Sequence, residues 1–399
     1  MSTPIFNRPR VPTHYYVWSE PPDQSGDEVL RFASAQRRIK LKGHSFREFE
    51  QYVIPLLDGR HSFQEIAESV ADVFDAADLA AGLQILADQN LLTDTNDQVP
   101  ASEVRELLAP QLNFFHEMNI DPEEIQSRLR RATVTIFGLG GAGASAALAL
   151  ASARVGHLSC VDSTTVGGPD SYLSSVFSPA DVGELRAVVV ARKMAATAPE
   201  VSVTAHTVRP ENDDHVFALV DGSDFVINSL DAGESSLVYK LNRVCLRAGI
   251  KWTSCALSGP EIIVGPTVHP AETACYLCYK MRSVACAGNP DDEFAFESFL
   301  DQRKQDDSAR HENLVCGVNL AAGLVSLEAI KSLSGMLSPS AVGKIIVFNL
   351  LDLTSTKHVV LRKPWCPACF KIPMRADEKT EMAAAARSSA DAGEANERR

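Results

Sequence analysis

A glycine-rich turn between a strand and a helix constrains this chain more than any other feature. The apolar run VTIF leads directly into Gly138-Leu-Gly140-Gly141-Ala-Gly143, and the alanine-rich segment Ala144–Ala153 follows at once. Residues without side chains let phosphate oxygens approach the backbone amides at the positive end of the helix. The G-x-G-x-x-G spacing in this setting therefore predicts a nucleotide site in an α/β domain.

An acidic residue stands where such a site needs one. The next strand-like run, HLSCVD, ends at Asp162, 19 residues after Gly143. A carboxylate there can accept hydrogen bonds from both ribose hydroxyls. A tight turn with no nucleotide and a nicotinamide dehydrogenase also fit these residues, so the turn does not by itself identify the ligand.

Strand-like and helix-like segments alternate beyond the turn. This order is typical of βαβ units in a mostly parallel, Rossmann-like sheet. Residues 289–310 are strongly charged and are predicted to form an exposed loop or crossover. The later predicted elements are the strands Val201–His206, Phe225–Leu230, Lys251–Ala256, Ile262–Val268, Lys344–Asn349 and His358–Leu361, and the helix Val318–Leu333.

Four of the nine cysteines form two C-x-x-C pairs, Cys275-Tyr-Leu-Cys278 and Cys366-Pro-Ala-Cys369. Two such knuckles supply four thiolates for tetrahedral Zn²⁺. Four sulfur ligands leave no open position for water, so the predicted zinc is structural. Two unrelated thiol pairs and a redox pair are the alternatives.

A smaller module precedes the nucleotide-type domain. Residues 37–43 alternate basic and apolar positions, as a half-buried strand does, and Ser45 and Ser62 each begin a capping-box pattern. A third helix is predicted over Ala77–Gln89. The predicted division is an extended segment (1–30), a winged-helix-like module (31–98), a connector (99–130), the nucleotide-type domain (131–370) and a flexible tail (371–399).

The composition excludes several classes of protein. Lysine and arginine number 38 against 51 acidic residues, and a net charge of −13 makes nucleic acid a poor partner. No apolar run approaches the ~20 residues of a membrane span, and the first residues do not have the pattern of a secretory signal. Nine cysteines without such a signal favour a reducing compartment, so a cytoplasmic protein is expected.

Between residues 111 and 370 the chain resembles the ThiF/MoeB/HesA superfamily, the relatives of ubiquitin-activating enzymes. The matching stretches are RRATVTIFGLGGAG, CVDSTTV, DVGELRA, VINSLDAG, ACYLC, LEAIKSLSG and KPWCPAC. The resemblance implies ATP and Mg²⁺ as cofactors, adenylation of a protein or peptide carboxylate with release of pyrophosphate, and a homodimer. By it, the four glycines hold the nucleotide, Asp162 the ribose, and Asp231, in NSLDAG, the magnesium.

Two positions depart from the superfamily pattern. The superfamily has Asn-x-x-Arg-Gln after the second strand, where the arginine neutralises phosphate charge, but here the segment from Asp170 to Ser174 carries Leu173 at that position. In DVGELRA, Arg186 replaces a lysine and is the candidate catalytic cation. The resemblance also implies an arginine supplied by the partner subunit from just before its first strand, where Arg128, Arg130 and Arg131 stand.

The amino-terminal module resembles the peptide-recognition element of enzymes that modify ribosomally made peptides. In those proteins the leader peptide adds as a strand to the module's edge. The phrase LLDGRHSFQEIAESV is similar to the leader-binding partners of thiazole/oxazole cyclodehydratases, and QLNFFHEM with RLRRATVTIFG to the microcin-C-type peptide adenylyltransferases. A basic strand would suit an acidic leader, and an ordinary solvated strand face is the alternative. Its basic residues are Arg37, Arg38, Lys40, Lys42 and Arg47.

Two functions follow from these observations. In the first, which Leu173 favours, the protein binds the leader of a precursor peptide and presents it to a YcaO-type cyclodehydratase, with the ThiF-like domain as a scaffold. In the second, the protein is itself an ATP-dependent adenylyltransferase that activates a peptide carboxylate.

Overall fold

The computed structural model describes residues 6–22, 24, 26–94, 106–230, 233–302 and 313–370. The chain forms two compact units that meet in sequence at Gln126 and Ser127. The first unit contains two small antiparallel sheets. In chain order its strands are β1 (Pro9–Arg10), β2 (Tyr16–Glu20), β3 (Glu28–Ala33), β4 (Arg38–Gly43) and β5 (Thr93–Asp94).

Strands β2, β3 and β4 lie side by side in that order, and β1 pairs with β5. Leu30 and Phe32 of β3 are fully buried under the helices, because alternate residues of a strand point to one face. The helices are α1 (Phe46–Glu48, extended by irregular turns to Leu56), α2 (Phe63–Ser69), α3 (Ala76–Asp88) and α4 (Ala109–Glu117), while α5 (Pro122–Arg131) spans the boundary between the units.

Three predictions for this unit can be compared with the structure. The capping box at Ser62 is confirmed, since its hydroxyl accepts from the Glu65 amide and the Glu65 carboxylate accepts from the Ser62 amide. The box at Ser45 is wrong: Ser45 has a φ of 59°, whereas an N-cap residue needs an extended backbone. Within residues 1–30, predicted only as extended, β2 and part of β3 form a hairpin. The winged-helix description stays a prediction.

The second unit is built on one eight-stranded sheet. Its order is β13-β12-β11-β10-β9-β6-β7-β8, and the five strands from β10 to β8 are parallel while β11, β12 and β13 add antiparallel at one edge. This confirms the predicted α/β fold with a large, mostly parallel sheet. The strands are β6 (Thr133–Phe137), β7 (His157–Val161), β8 (Ser202–His206), β9 (Phe225–Asn228), β10 (Lys251–Ser258), β11 (Glu261–Val264), β12 (Lys344–Asn349) and β13 (Ser355–Val359).

Eight helices are described in this unit. One of them corrects the sequence analysis, because Pro290–Gln302 is a helix and not a loop: proline at its start and Asp291, Asp292 and Glu293 in its first turn suit the positive end of a helix. The helices are α6 (Gly141–Ser152), α7 (Asp170–Leu173), α8 (Arg186–Thr197), α9 (Asp213–Val220), α10 (Ser235–Ala248), α11 (Tyr276–Ala285), α12 (Pro290–Gln302) and α13 (Val315–Ser334).

Helix α13 is by length and composition apolar enough to cross a membrane, alone among the helices of the described residues. Its contacts are those of a core helix. Val318 packs against the start of α6, and the buried Glu328 carboxylate accepts from the amides of Ser340 and Ala341 at 2.7 and 2.8 Å. We interpret α13 as part of the unit's core.

Candidate nucleotide site and zinc centre

At the glycine turn three backbone segments lie in close contact: the turn at Gly138, the start of α6 at Gly143 and the end of β9 at Ser229. Gly138 has a φ of +83°, and a Cβ there would lie 2.4 Å from the Ser229 carbonyl oxygen at the end of β9. A Cβ on Gly143 would lie 1.9 Å from the Gly138 oxygen. Side chains are therefore excluded at both positions, and the backbone of the turn leads directly into the amino-terminal end of α6.

Asp162 lies beside this turn. It follows β7, and its Oδ2 accepts a hydrogen bond from the Leu139 amide at 2.7 Å. Its Oδ1 accepts from the amide and hydroxyl of Thr164 at 2.8 and 2.6 Å. These three donors fix the carboxylate beside the turn, where the resemblance places the ribose.

The candidate cation Arg186 is held in a buried ion pair. Its Nε and Nη2 donate to Asp170 Oδ2 at 3.1 and 2.9 Å, and Nη2 also donates to Oδ1 at 3.0 Å. Nη1 lies 3.9 Å from Asp162 Oδ2. Both Arg186 and Asp170 are only 3% exposed. Sequence reasoning named Arg186 but missed its partner, and the available signal was the acid at a position where the superfamily has asparagine.

Leu173 lies at the same turn. Its carbonyl oxygen is 3.6 Å from the position that a Gly141 Cβ would take, and the hydroxyls of Ser174 and Ser145 are 3.3 Å apart. The segment after β7 thus packs on the first turns of α6 with a buried leucine at the superfamily's arginine position. Asp231, the predicted magnesium residue, lies outside the described residues.

The four predicted zinc ligands form one cluster. Their sulfur atoms lie within 4.8 Å of one another, with Cys275–Cys278 at 3.9 Å, Cys275–Cys366 at 3.6 Å and Cys278–Cys369 at 3.6 Å. Zinc–sulfur bonds of about 2.3 Å in a tetrahedron put sulfurs roughly 3.8 Å apart, so the donor set fits Zn²⁺. All four cysteines are buried.

Polar contacts around the cluster favour the thiolate form of Cys278. Hydrogen bonds from Cys275 and Cys369 lower the pKa of Cys278, and the bond to Cys278 raises the pKa of Cys275. The Lys363 amide donates to the Cys278 sulfur at 3.4 Å. Cys275 precedes α11, whose first amide, that of Tyr276, donates to Asn242 Oδ1 of α10 at 3.0 Å. A bound zinc would join the α11 knuckle to the segment after β13.

The remaining cysteines lie apart from this cluster. Cys255 is buried against the Ala321 carbonyl, and burial raises its pKa to about 12. Cys316 is exposed in the first turn of α13. None of the nine cysteines forms a disulfide.

The basic residues predicted to bind peptide divide into two kinds. Arg37 is structural, because it donates to the Tyr15 hydroxyl at 3.0 Å and to the Gln89 carbonyl at 2.9 Å. Arg38, Lys40 and Lys42 are exposed on β4, at the edge of the three-stranded sheet, and Arg47 is exposed just after it.

The chain belongs to the ThiF family, whose model matches residues 109–368. This confirms the superfamily that the glycine turn, the acid and the cysteine pairs indicate. The matched residues include the glycine turn, Asp162 and three of the four clustered cysteines, and Cys369 lies one residue beyond the match.

Several curated proteins are similar to this chain. It is 26% identical over 270 residues to the sulfur carrier protein adenylyltransferase of Thermus thermophilus, covering 66% of this chain and 92% of that protein. It is 28% identical over 251 residues to protein HesA of Leptolyngbya boryana, covering 62% and 80%. Identity to the molybdopterin-synthase adenylyltransferase of Salmonella typhimurium is 25% over 250 residues, covering 62% and 90%.

Solved structures extend the likeness to both units. Escherichia coli MccB with ATP has a TM-score of 0.60 and 17% identity, and the match covers 90% of this chain and 99% of that one. The microcin C7 biosynthetic enzyme MccB in complex with N-formylated MccA has a TM-score of 0.61 at the same identity and coverage. PaaA has a TM-score of 0.58 and 22% identity, covering 71% and 92%. At these identities the likeness shows the fold.

Proposed function

We propose that this protein is an ATP-dependent adenylyltransferase that activates the carboxyl group of a ribosomally made peptide. A carboxylate oxygen of the peptide attacks the α-phosphorus of ATP, an acyl–adenylate bond forms, and the bond to pyrophosphate breaks. The observation that carries the proposal is the glycine turn with Asp162 hydrogen-bonded to it at 2.7 Å. Relatives named as adenylyltransferases support it.

The chain's own residues have separate tasks in this reaction. The amides at the start of α6 would hold phosphate, and Asp162 would hold the ribose. Asp231 would position Mg²⁺, for which carboxylate oxygens are suitable ligands. We propose that Arg128, Arg130 or Arg131 of a second copy adds positive charge in a homodimer, since Leu173 supplies none. The zinc centre holds the fold and takes no part in the chemistry.

The first unit, in this proposal, binds the leader of the precursor peptide along β4 in the cytoplasm. Arg38, Lys40 and Lys42 point to an acidic leader, and β4 lies at the edge of its sheet, where a peptide can add as a further strand. The MccB structure in complex with N-formylated MccA supports a peptide as the partner.

The proposal is tested by titrating the protein with Mg·ATP, with and without the precursor peptide encoded beside its gene, while AMP and pyrophosphate are assayed. We expect ATP to bind and pyrophosphate to be released only with peptide, and AMP to appear when water or another nucleophile attacks the acyl carbon of the adenylate. Tight peptide binding without ATP binding would overturn the adenylation.

The second candidate is a recognition protein that presents the peptide to a YcaO-type cyclodehydratase. The specific observation in its favour lies at the candidate nucleotide site. A buried leucine, Leu173, stands at the superfamily's arginine position, and the Arg186 guanidinium is hydrogen-bonded to Asp170. A YcaO gene beside this one, together with peptide binding and no ATP binding, would favour this function.

A further inference from the structure

We propose that Asp170 sets the affinity of this site for phosphate by holding the Arg186 guanidinium in a buried ion pair. This inference rests on the proposed nucleotide site. Asp170 begins the short helix α7, and its Oδ2 accepts from the Gly167 amide at 2.7 Å, so the carboxylate is fixed before it meets the arginine. Arg186 begins α8, 16 residues later.

The ion pair occupies hydrogen-bond donors of Arg186 that could otherwise bind a phosphate group. Its Nε and Nη2 both bond to Asp170, and Nη1 is directed to within 3.9 Å of Asp162. Among the described residues the guanidinium therefore faces two carboxylates, at a turn that is proposed to receive a polyphosphate. Like charges in a poorly solvated site repel strongly, so the two carboxylates oppose the attraction of the α6 amides.

A neutral residue at position 170 would change this balance. Asp170→Asn keeps the oxygen that accepts from the Gly167 amide and from Arg186 Nε and Nη2, but it replaces Oδ1 by an amide nitrogen that cannot accept from Nη2. The guanidinium loses one of its three hydrogen bonds to residue 170 together with the charge of its partner, and the site loses one negative charge. Both changes favour the binding of phosphate, whereas the Asp162 carboxylate proposed to bind the ribose keeps its three hydrogen-bond donors.

The test compares Mg·ATP with adenosine by calorimetric titration of the full chain. We expect Asp170→Asn to bind Mg·ATP at least tenfold more tightly than the wild type, about 1.4 kcal/mol, with adenosine affinity changed less than twofold. Asp181→Asn is the matched control, because Asp181 is also buried and paired to an arginine, Arg192, but caps a separate turn with Ser178. Unchanged or weaker Mg·ATP binding by Asp170→Asn would overturn the inference.

A second variant covers the case in which Asp170→Asn does not fold. Asp170→Asn combined with Arg186→Gln removes the whole pair, and if Arg186 is neutralised in the wild type, Mg·ATP affinity should stay within threefold. A loss above tenfold, with adenosine binding intact, would mean that Arg186 already contacts phosphate and would overturn the inference.

The outcomes separate this inference from the proposed function. If the wild type binds adenosine but not Mg·ATP and Asp170→Asn binds both, the inference holds and the adenylation fails. If wild type and variant bind Mg·ATP equally and form AMP, the adenylation holds and the inference fails. If neither protein binds adenosine or Mg·ATP, both are overturned.

Discussion

At the scale of single residues, the proposed nucleotide site depends on positions where a side chain is absent. Gly143 faces the Gly138 carbonyl so closely that no other residue fits without movement of the turn. Asp162 then bonds to the amide of Leu139 inside the same turn. The turn and the acid are therefore one structural element, and a change in either is expected to affect nucleotide binding directly.

Substitution of Gly143 tests this interdependence. A Cβ at 1.9 Å from the Gly138 oxygen forces the turn apart, so Gly143→Ala should abolish ATP binding and lower the Tm by roughly 5–10 °C, a cost of about 2–3 kcal/mol. Gly168→Ala is the control, because nothing lies within 4 Å of its Cβ position. ATP binding by Gly143→Ala at wild-type affinity would contradict the assigned site. Calorimetric titration and thermal unfolding measure both effects.

A buried histidine in the first unit gives a pH dependence. His116 of α4 is 2% exposed, and neither ring nitrogen has a hydrogen-bond partner among the described residues. Burial, with the nearby charges of His14 and Arg37, lowers its pKa to about 4, against a smaller opposing effect of Glu117. The unfolded chain binds this proton near pH 6.5 and the folded chain does not, so stability is lost as the pH falls from 6.5 towards 4.

The free energy of unfolding should therefore fall by about 1–2 kcal/mol between pH 7 and pH 5 through His116 alone. His116→Phe, which suits the edge contact with the Tyr15 ring, should reduce this slope. His44→Phe, at an exposed position, should leave it unchanged. Urea unfolding of the full chain at the two pH values gives the measurement, and an equal slope in wild type and His116→Phe would refute the assignment.

At the scale of elements, the structure separates the basic strand into a structural and a surface part. Arg37 connects Tyr15 to the carbonyl groups after α3, so its substitution is expected to lower stability and cannot report on peptide binding alone. Lys40 and Lys42 are exposed on β4 and face away from the buried Leu30 and Phe32. They are the residues with which the leader proposal should be tested.

Reversal of these two charges should weaken binding of the precursor peptide. Lys40→Glu with Lys42→Glu is expected to raise the Kd at least tenfold in low salt, about 1.4 kcal/mol, and less at high ionic strength because exposed charges are screened. The matched control is Lys344→Glu with Lys357→Glu, on strands β12 and β13 of the eight-stranded sheet. Unchanged affinity of the β4 variant, measured by fluorescence anisotropy, would exclude this edge as the docking site.

The sequence patterns correctly predicted those elements that depend only on residues close together in the chain. The strand, glycine turn and helix around Gly138 depend on neighbouring residues, and so does the capping box at Ser62. Helix α12 was missed because its charges were interpreted as solvation, although acids in the first turn also stabilise a helix. The Asp170–Arg186 pair depends on how the loop after β7 returns to the start of α8, and its one signal in the sequence is the acid at the superfamily's asparagine position.

At the scale of the whole second unit, the cysteine cluster connects distant parts of the chain. Cys278 and Cys369 are 91 residues apart, and between them lie α12, α13 and the antiparallel strands β12 and β13. A zinc ion bound by all four sulfurs would hold the two ends of this stretch of chain together. Because the unfolded chain has no preformed site, most of the free energy of zinc binding contributes to the free energy of folding.

Loss of one cysteine ligand should therefore destabilise the whole second unit and not only the zinc site. Cys366→Ser is expected to release zinc and to lower the Tm by roughly 10 °C or more, as should a chelator added to the wild type. Cys286→Ser, at an exposed cysteine outside the cluster, should leave both unchanged. Metal analysis and thermal unfolding give the result. A Cys366→Ser protein with normal Tm that lacks only activity would instead indicate catalytic thiols.

We propose that this chain activates a peptide carboxyl group with ATP. The most direct test of this proposal is the exchange of labelled pyrophosphate into ATP in the presence of the precursor peptide, because exchange requires reversible formation of the acyl-adenylate. We expect exchange with the free-acid peptide and none with the same peptide carrying a carboxyl-terminal amide. If the peptide binds tightly through the first unit and no exchange occurs with either form, the chain is not an adenylyltransferase but a recognition protein.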